Sequence, residues 1–335
     1  MRGLRSIGTL AEFWKVVREL NPQTIEQDAT RNFRVIITGS LSDDVDWLFS
    51  LLTKGQPAIA SVISKPLVPG DSSVDSLPVA DLYVYVARPG VSLSRDEAGA
   101  IQRLDARGYP VLLVLCRADG VDSEDGAVLG SDLVVGTIPA HRMVVIERES
   151  VRDIEEKLLP AVLEVVPHLH LALARQVPLF RLLVSQQVIR ETSRVNAEFA
   201  ALSSVPANIP ILGTLVATGA DLVVLTKNQV MMLLKLAAIH DRDLSAKLSL
   251  AAEIAPVVGG AFMWRSLART LVDLLPGSVS FVPKTLIAAV GTYVVGSIAL
   301  HYYQVGTRPD SLTMAQLRSD GLQGALKLLT QIRGR

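Results

Sequence analysis

The sequence predicts an α/β domain, a parallel sheet with flanking helices, followed by an all-α, strongly apolar helical domain. Three observations carry this reading. Up to about residue 150, short β-branched runs alternate with amphipathic stretches, the pattern of strand–helix–strand units. After Ser150 those runs disappear. From Val205 onward the chain is rich in Ala, Gly, Leu and Val, and Pro206, Pro210, Pro256, Pro276 and Pro283 punctuate it, which predicts helices separated by proline turns.

The elements follow in order. In Met1 to Leu20, the apolar Phe13, Trp14, Val16, Val17 and Leu20 are interrupted by Glu12, Lys15, Arg18 and Glu19. That pattern predicts an amphipathic helix rather than a secretory signal. Buried strands are expected at Phe33–Thr38, Ile59–Ile63, Leu82–Ala87, Val111–Cys116 and Met143–Ile146, each aliphatic and bounded by Gly, Pro or charge. Trp47, Leu48, Leu51 and Leu52 form the apolar face of a helix after the first strand. Ser94-Arg95-Asp96-Glu97 reads as a capping box opening a helix that runs to Arg107 and stops at Gly108. Strands alternating with helices imply a parallel sheet covered on both faces. Helices are then expected over Val151–Val166 and Val177–Leu202. The division expected is 1–30 as an N-terminal helix, 31–165 as the α/β domain and 166–335 as the helical domain. The tail after Gly306 is more polar and carries Lys327, Arg333 and Arg335.

Composition narrows the function classes. The 335 residues hold 33 Lys+Arg and 33 Asp+Glu, so no global charge favours nucleic acid, and none is expected as a partner. Cys116 is the single cysteine, which excludes an intrachain disulfide and fits a reducing cytoplasm. The five histidines and the cysteine show no metal-ligand spacing. His168 and His170 are two apart, so on a helix they face different ways and read as a helix start. No G-x-S-x-G, H-E-x-x-H or strand-borne G-x-G-x-x-G occurs. Adjacent carboxylates, Asp43/Asp44 and Glu155/Glu156, diverge around a helix axis. Cys116, with apolar neighbours, reads as a buried structural thiol. No catalytic residue and no metal site is expected.

One loop stands where a phosphate cradle would be. A P-loop needs a strand, then G-x-x-x-x-G-K-[ST], then a helix; its amides, lysine and hydroxyl hold the phosphates and magnesium. Here Gly39-Ser40-Leu41-Ser42-Asp43-Asp44-Val45-Asp46 follows the first strand. Gly39 matches the first glycine. Asp44 stands for the second glycine, Val45 for the lysine and Asp46 for the hydroxyl. A carboxylate about 4 Å from a phosphate charge costs roughly 4 kcal/mol at an effective dielectric near 20. That weakens binding on the order of a thousandfold. Ser42 is expected to cap the helix, with Asp43 and Asp44 complementing its positive end.

Two downstream runs extend the pattern. Asp81-Leu82-Tyr83-Val84-Tyr85-Val86-Ala87 resembles the strand after the switch region of Era-like GTPases. Val111 to Cys116, then Arg117-Ala118-Asp119, resembles the strand ending in the guanine-reading N-K-x-D motif. Asp119 matches its Asp, whereas Cys116 replaces the Asn and Arg117 the Lys. No D-x-x-G appears between Gly70 and Pro78, and Ile146-Glu147-Arg148-Glu149 stands where S-A-[KL] would be. The resemblance covers about residues 30 to 165. It implies a degenerate nucleotide site at Gly39, Asp44, Val45, Asp46, Cys116, Arg117 and Asp119. Arg117 is the obvious cation to stand in for the missing lysine, but reads more readily as a surface arginine. The second half resembles the helical domain that follows Era-like GTPase domains in many bacteria, domain-of-unknown-function family 697. The matching features are Thr226-Lys227-Asn228-Gln229-Val230-Met231, Leu275-Pro276-Gly277, Ala288-Ala289-Val290-Gly291-Thr292, Gly296 and Tyr302-Tyr303. Members of that family often sit at or in membranes.

Two segments have the length of a membrane span, which needs about 20 apolar residues. Val205 to Thr226 spans 22 residues, with Asn208 and Asp221 as strongly polar interruptions; Thr285 to Tyr303 spans 19, interrupted by His301. Lys227, Lys284, Trp264, Tyr302 and Tyr303 suit an interface, and Ala288, Gly291, Gly296, Ser297 and Ala299 suit close helix contact. Asp221 favours a soluble bundle instead. Either way, 285–303 lacks a polar face and must be covered by protein or lipid.

Three functions fit. The first is a non-hydrolysing pseudo-GTPase acting as a scaffold or regulatory interaction protein, cytoplasmic and open to membrane association through 205–303. The second is a sensor that binds GTP or GDP weakly without hydrolysis. The third is a membrane-embedded helical protein with a docking N-terminal domain. No cofactor is expected beyond such weak nucleotide binding. Partners are expected to be proteins, with self-association open.

Overall fold

A computed structural model describes residues 17–39, 41–53, 61–66, 77–88, 95–117, 142–148, 150–202, 220–246, 248–250, 252 and 284–333. The chain divides into two compact units, Asp28–Leu183 and Met1–Gln27 together with Val184–Arg335.

In the first unit, β1 (Val35–Thr38), β2 (Val62–Ser64), β3 (Leu82–Ala87), β4 (Val111–Arg117) and β5 (Met143–Glu147) form one sheet in the order β2-β1-β3-β4-β5. Every pairing is parallel. All five strands coincide with the expected apolar runs. The largest shift is in β2, which starts at Val62 rather than Ile59, in register with Val35. β3 is buried along its whole length, as a parallel strand covered on both faces must be. One face packs Ile36, Tyr83, Tyr85, Leu113 and Leu115 against Ala98, Ile101 and Leu104. The last three lie on α3 (Arg95–Ala106); α1 (Gln23–Thr30) and α2 (Ser42–Thr53) precede it in the chain.

The expected stop at Gly108 holds. Gly108 N–H donates to Asp105 O at 2.8 Å and Tyr109 N–H to Leu104 O at 3.2 Å, the two bonds of a Schellman motif. The capping box expected at Ser94–Glu97 falls partly outside the described residues, at Ser94. The Glu97 carboxylate accepts from the buried Tyr85 hydroxyl at 3.1 Å.

The helix expected over Val151–Val166 is α4 (Val151–Val165), with one π-helical turn at Ile154–Leu158. Ser150 caps it, accepting from Asp153 N–H. A short turn leads to α5 (His170–Gln176), so His168 lies in the turn and His170 opens the helix. The His170 ring contacts Leu163 O at 2.9 Å. The first compact unit ends at Leu183 and the second resumes at Val184. α5 belongs with the sheet: Gln176 pairs with the Ser61 hydroxyl beside β2 and donates to Arg31 O at 3.1 Å before β1.

The second unit contains α6 (Arg181–Leu202) from Val184 on, α7 (Ala220–Ile239), α8 (Lys284–Val305) and α9 (Ser311–Arg333). Pro178 explains why α6 starts later than Val177; Pro178–Phe180 is a 3₁₀ turn. α9 covers the tail, which on sequence reads only as polar. The amphipathic helix expected over Met1–Leu20 and the five proline turns fall almost wholly outside the described residues, as does most of 205–226.

α8 is the one described helix long and apolar enough to cross a membrane, over Thr285–Val305 with mean hydropathy 1.4. Its cover is largely protein: 67% of its apolar window is buried. Gly296 permits a close approach. A Cβ there would lie 2.7 Å from Ile189 Cγ1 on α6 and 3.0 Å from Met232 Sδ on α7.

A buried polar cluster joins three of these helices. Asn196 Nδ2 donates to Thr292 Oγ1 at 2.8 Å, Gln229 Nε2 donates to the same oxygen at 3.2 Å, and Asn228 Nδ2 donates to Asn196 Oδ1 at 2.8 Å. Asn196 and Thr292 are fully buried, so each lost partner is costly. Thr292→Val keeps the shape and deletes the shared acceptor. We expect it to destabilise the helical unit by about 2 kcal/mol, seen as a lower denaturation midpoint that Thr292→Ser restores.

Candidate functional site

The strand order 2-1-3-4-5 reverses direction between β1 and β3. In open parallel sheets of this kind, ligands bind in the crevice at the carboxyl ends of the strands at such a reversal. The residues found there decide what this domain can bind.

After β1 the chain passes through Gly39 and Leu41 and enters α2 at Ser42. Three residues separate strand from helix, too few for the phosphate-wrapping loop that G-x-x-x-x-G-K-[ST] describes. The Asp44 and Val45 amides both donate to Leu41 O at 3.2 Å. Ser42 is thus the first helical residue rather than the residue before it, and the Leu41 carbonyl receives the first bonds. Gly39 is held by close approach: a Cβ there would collide with the Val86 carbonyl oxygen at the end of β3.

The degenerate motif positions have separate fates. Val45 is fully buried, in the core rather than facing a ligand. Asp46, exposed, accepts from Ser64 Oγ at 2.9 Å at the end of β2. Asp44 is 2% exposed. Its carboxylate receives Arg88 Nε at 2.7 Å and Arg88 Nη2 at 3.1 Å, a bidentate fork, and Arg148 Nη1 at 3.4 Å. Asp43 and Asp44 stand in the first turn of α2, as expected, and Asp44 is in addition the buried anion of an ion triad. Arg148 also donates to Asp43 O at 3.4 Å, and its guanidinium lies 5.4 Å from the Trp47 ring centroid. Such stacking is a cation–π contact.

The turn that presents Arg148 is itself braced. Arg148 N–H donates to Arg117 O at 3.3 Å, and the Asp153 carboxylate accepts from Glu147 N–H at 3.0 Å and pairs with Lys157 at 2.7 Å. Burial pulls the Asp153 carboxyl up, but Lys157 and the Glu147 amide outweigh it and hold it below the usual carboxylate range. Arg117 is exposed, as a surface arginine is, and the cations that meet the Asp44 carboxylate are Arg88 and Arg148.

Cys116 is buried at 2% exposure at the end of β4. Burial, reinforced by the nearby Asp44 carboxylate, pushes its thiol from 9.0 to about 12, with Arg148 and Arg88 acting in the opposite sense. The motif positions Asp44 and Cys116 therefore do come together. Asp119 lies outside the described residues. The folded protein keeps the thiol proton above pH 9 where the unfolded chain loses it, so this group's contribution to stability falls as pH rises past that point. We expect Cys116 to resist alkylation at about pH 8 until the protein is unfolded, measured by mass spectrometry with and without denaturant.

Among the described residues, no group of three or more His, Cys, Asp or Glu side chains is disposed to hold a metal ion. No protein-family model matches the chain, and no curated protein matches it significantly. Sequence reasoning missed Arg88, Arg148 and Trp47. The available signal was an arginine just past each of two buried strands, Ala87-Arg88 and Ile146-Glu147-Arg148.

Proposed function

We propose that this chain is a non-hydrolysing pseudo-GTPase that acts through its surfaces as a scaffold or regulatory protein. The observation that carries the reading is the Asp44 carboxylate, gripped by Arg88 and Arg148 in the crevice where a doubly wound sheet takes its ligand. A phosphate group entering there meets a buried negative charge, and the position of the P-loop lysine is the buried Val45. The short passage from β1 to α2 points the same way, because few amides are free to wrap a phosphate. Titration of labelled GTP, GDP and ATP with magnesium, with phosphate release followed in parallel, tests the proposal. The expected result is no saturable binding at micromolar concentration and no turnover. Micromolar affinity with turnover overturns it, and micromolar binding without turnover selects the sensor in its place.

A cytoplasmic protein that attaches to a membrane through its helical unit is the second reading. The 21-residue apolar stretch of α8 favours it, and the burial of that stretch within the protein favours a peripheral rather than a spanning mode. Alkaline carbonate washing separates the two: release supports peripheral attachment, and retention in the pellet supports insertion.

A further inference from the structure

We infer that Arg88 and Arg148 form an oxyanion clamp whose resident anion is the chain's own Asp44 carboxylate, and that this internal ligand keeps free oxyanions out. The inference concerns what the arginines are built to hold, and it stands whether or not the fold descends from a GTPase.

The clamp has the chemistry of an anion site. Three guanidinium N–H groups from two strand ends converge on one carboxylate: Arg88 Nε and Nη2 in a planar fork, and Arg148 Nη1 on the Oδ1 oxygen. Bidentate arginine is the arrangement that recognises carboxylate and phosphate oxygens. Arg88 follows β3, which borders the reversal point, and Arg148 follows the edge strand β5; both stand at the carboxyl ends of their strands. Both side chains are about one third exposed, 38% and 35%, whereas Asp44 is 2% exposed. Part of each arginine side chain therefore meets solvent, while the carboxylate they hold does not.

The clamp is also held by contacts other than its anion. Arg148 is oriented by the Trp47 ring and by the Asp43 carbonyl, and its backbone by Arg117 O. Removing the carboxylate leaves that support in place, together with two cations facing a vacated position. Asp43, exposed on the same helix turn, contributes a weaker negative field at Arg88. Cys116, beneath, stays protonated and adds no charge. The net field at the vacated position is thus positive, and the ligand class it takes is a small oxyanion.

The test is chemical rescue of Asp44→Ala in the full-length protein. Thermal denaturation is compared in sodium acetate, which restores the excised group, in sodium phosphate, and in sodium chloride at matched ionic strength. The expected result has three parts. The wild type is indifferent to the choice of anion. Asp44→Ala melts lower in chloride and regains most of the lost midpoint at millimolar acetate or phosphate. Asp44→Ala/Arg88→Ala gains nothing from either anion. If Asp44→Ala does not fold in chloride, the yield of soluble protein on refolding in each anion is read instead, with the same expected order. Equal behaviour of Asp44→Ala in all three salts, or equal rescue of the double variant, overturns the inference. Either outcome is separate from the nucleotide titration, which uses the wild type.

Discussion

Arg88→Ala is expected to destabilise the sheet unit by about 3 kcal/mol, near the low end for breaking a buried ion pair. The substitution leaves Asp44 buried with Arg148 alone, at 3.4 Å rather than 2.7 Å. Arg88 is 38% exposed, so solvent already screens part of the pair and the upper end of the range is not reached. For a domain of this size the shift corresponds to roughly 6–12 °C in melting temperature. The sign of the double variant discriminates the cause. Asp44→Leu/Arg88→Met removes both charges, so no buried carboxylate is left uncompensated, and Arg148 can turn to solvent. It is expected to lose less than the sum of the two single variants, with a coupling of about 1–3 kcal/mol. Additive losses in urea denaturation would show that the pair is not a coupled unit.

Gly39→Ala is expected to cost about 3 kcal/mol, through overpacking against backbone rather than loss of a contact. The added methyl meets the Val86 carbonyl oxygen, which belongs to β3 and cannot swing away like a side chain, and also Val45 Cγ2 at 3.3 Å. β1 and β3 are paired in register from Val35↔Leu82 to Thr38↔Tyr85, so relief requires shifting a strand pair. The expected readout is a melting temperature lowered by roughly 6–12 °C. Ala at Gly108 serves as the comparison, since a Cβ there meets nothing within 4 Å and its cost is confined to backbone conformation at φ +74°. A Gly39→Ala protein as stable as the wild type would contradict the close crossing of β1 and β3.

The α/β half was legible because buried parallel strands are written as unbroken aliphatic runs. Val111 to Cys116 and Leu82 to Ala87 announce themselves without partners. What the linear order does not contain is the strand order, since β1 lies between β2 and β3 only in space. The ion triad was hidden for the same reason. Asp44 is visible as an anomaly beside Gly39, but its partners stand 44 and 104 residues away. Arg117, two positions before the motif residue Asp119, was the cation local reasoning could reach. In the helical half, α8 was legible as an apolar run. α9 was not, because Gly321, Gly324 and scattered polar residues dilute its pattern. The cluster of Asn196, Asn228, Gln229 and Thr292 draws on three helices, and no local pattern marks it.

The early start of α2 bears on how this domain could change. Had a nucleotide site lost only its lysine, one codon change would restore it. Here Val45 is fully buried, and Leu41 O already takes the amide bonds of Asp44 and Val45. Val45→Lys would drive an ammonium into the core instead of toward a phosphate, at a cost of several kcal/mol. A phosphate cradle here would need the first turn of α2 to open, as well as removal of Asp44 and release of its two arginines. Each step alone lowers stability before any ligand repays it. No single substitution therefore turns this loop into a phosphate cradle; several coordinated replacements are needed.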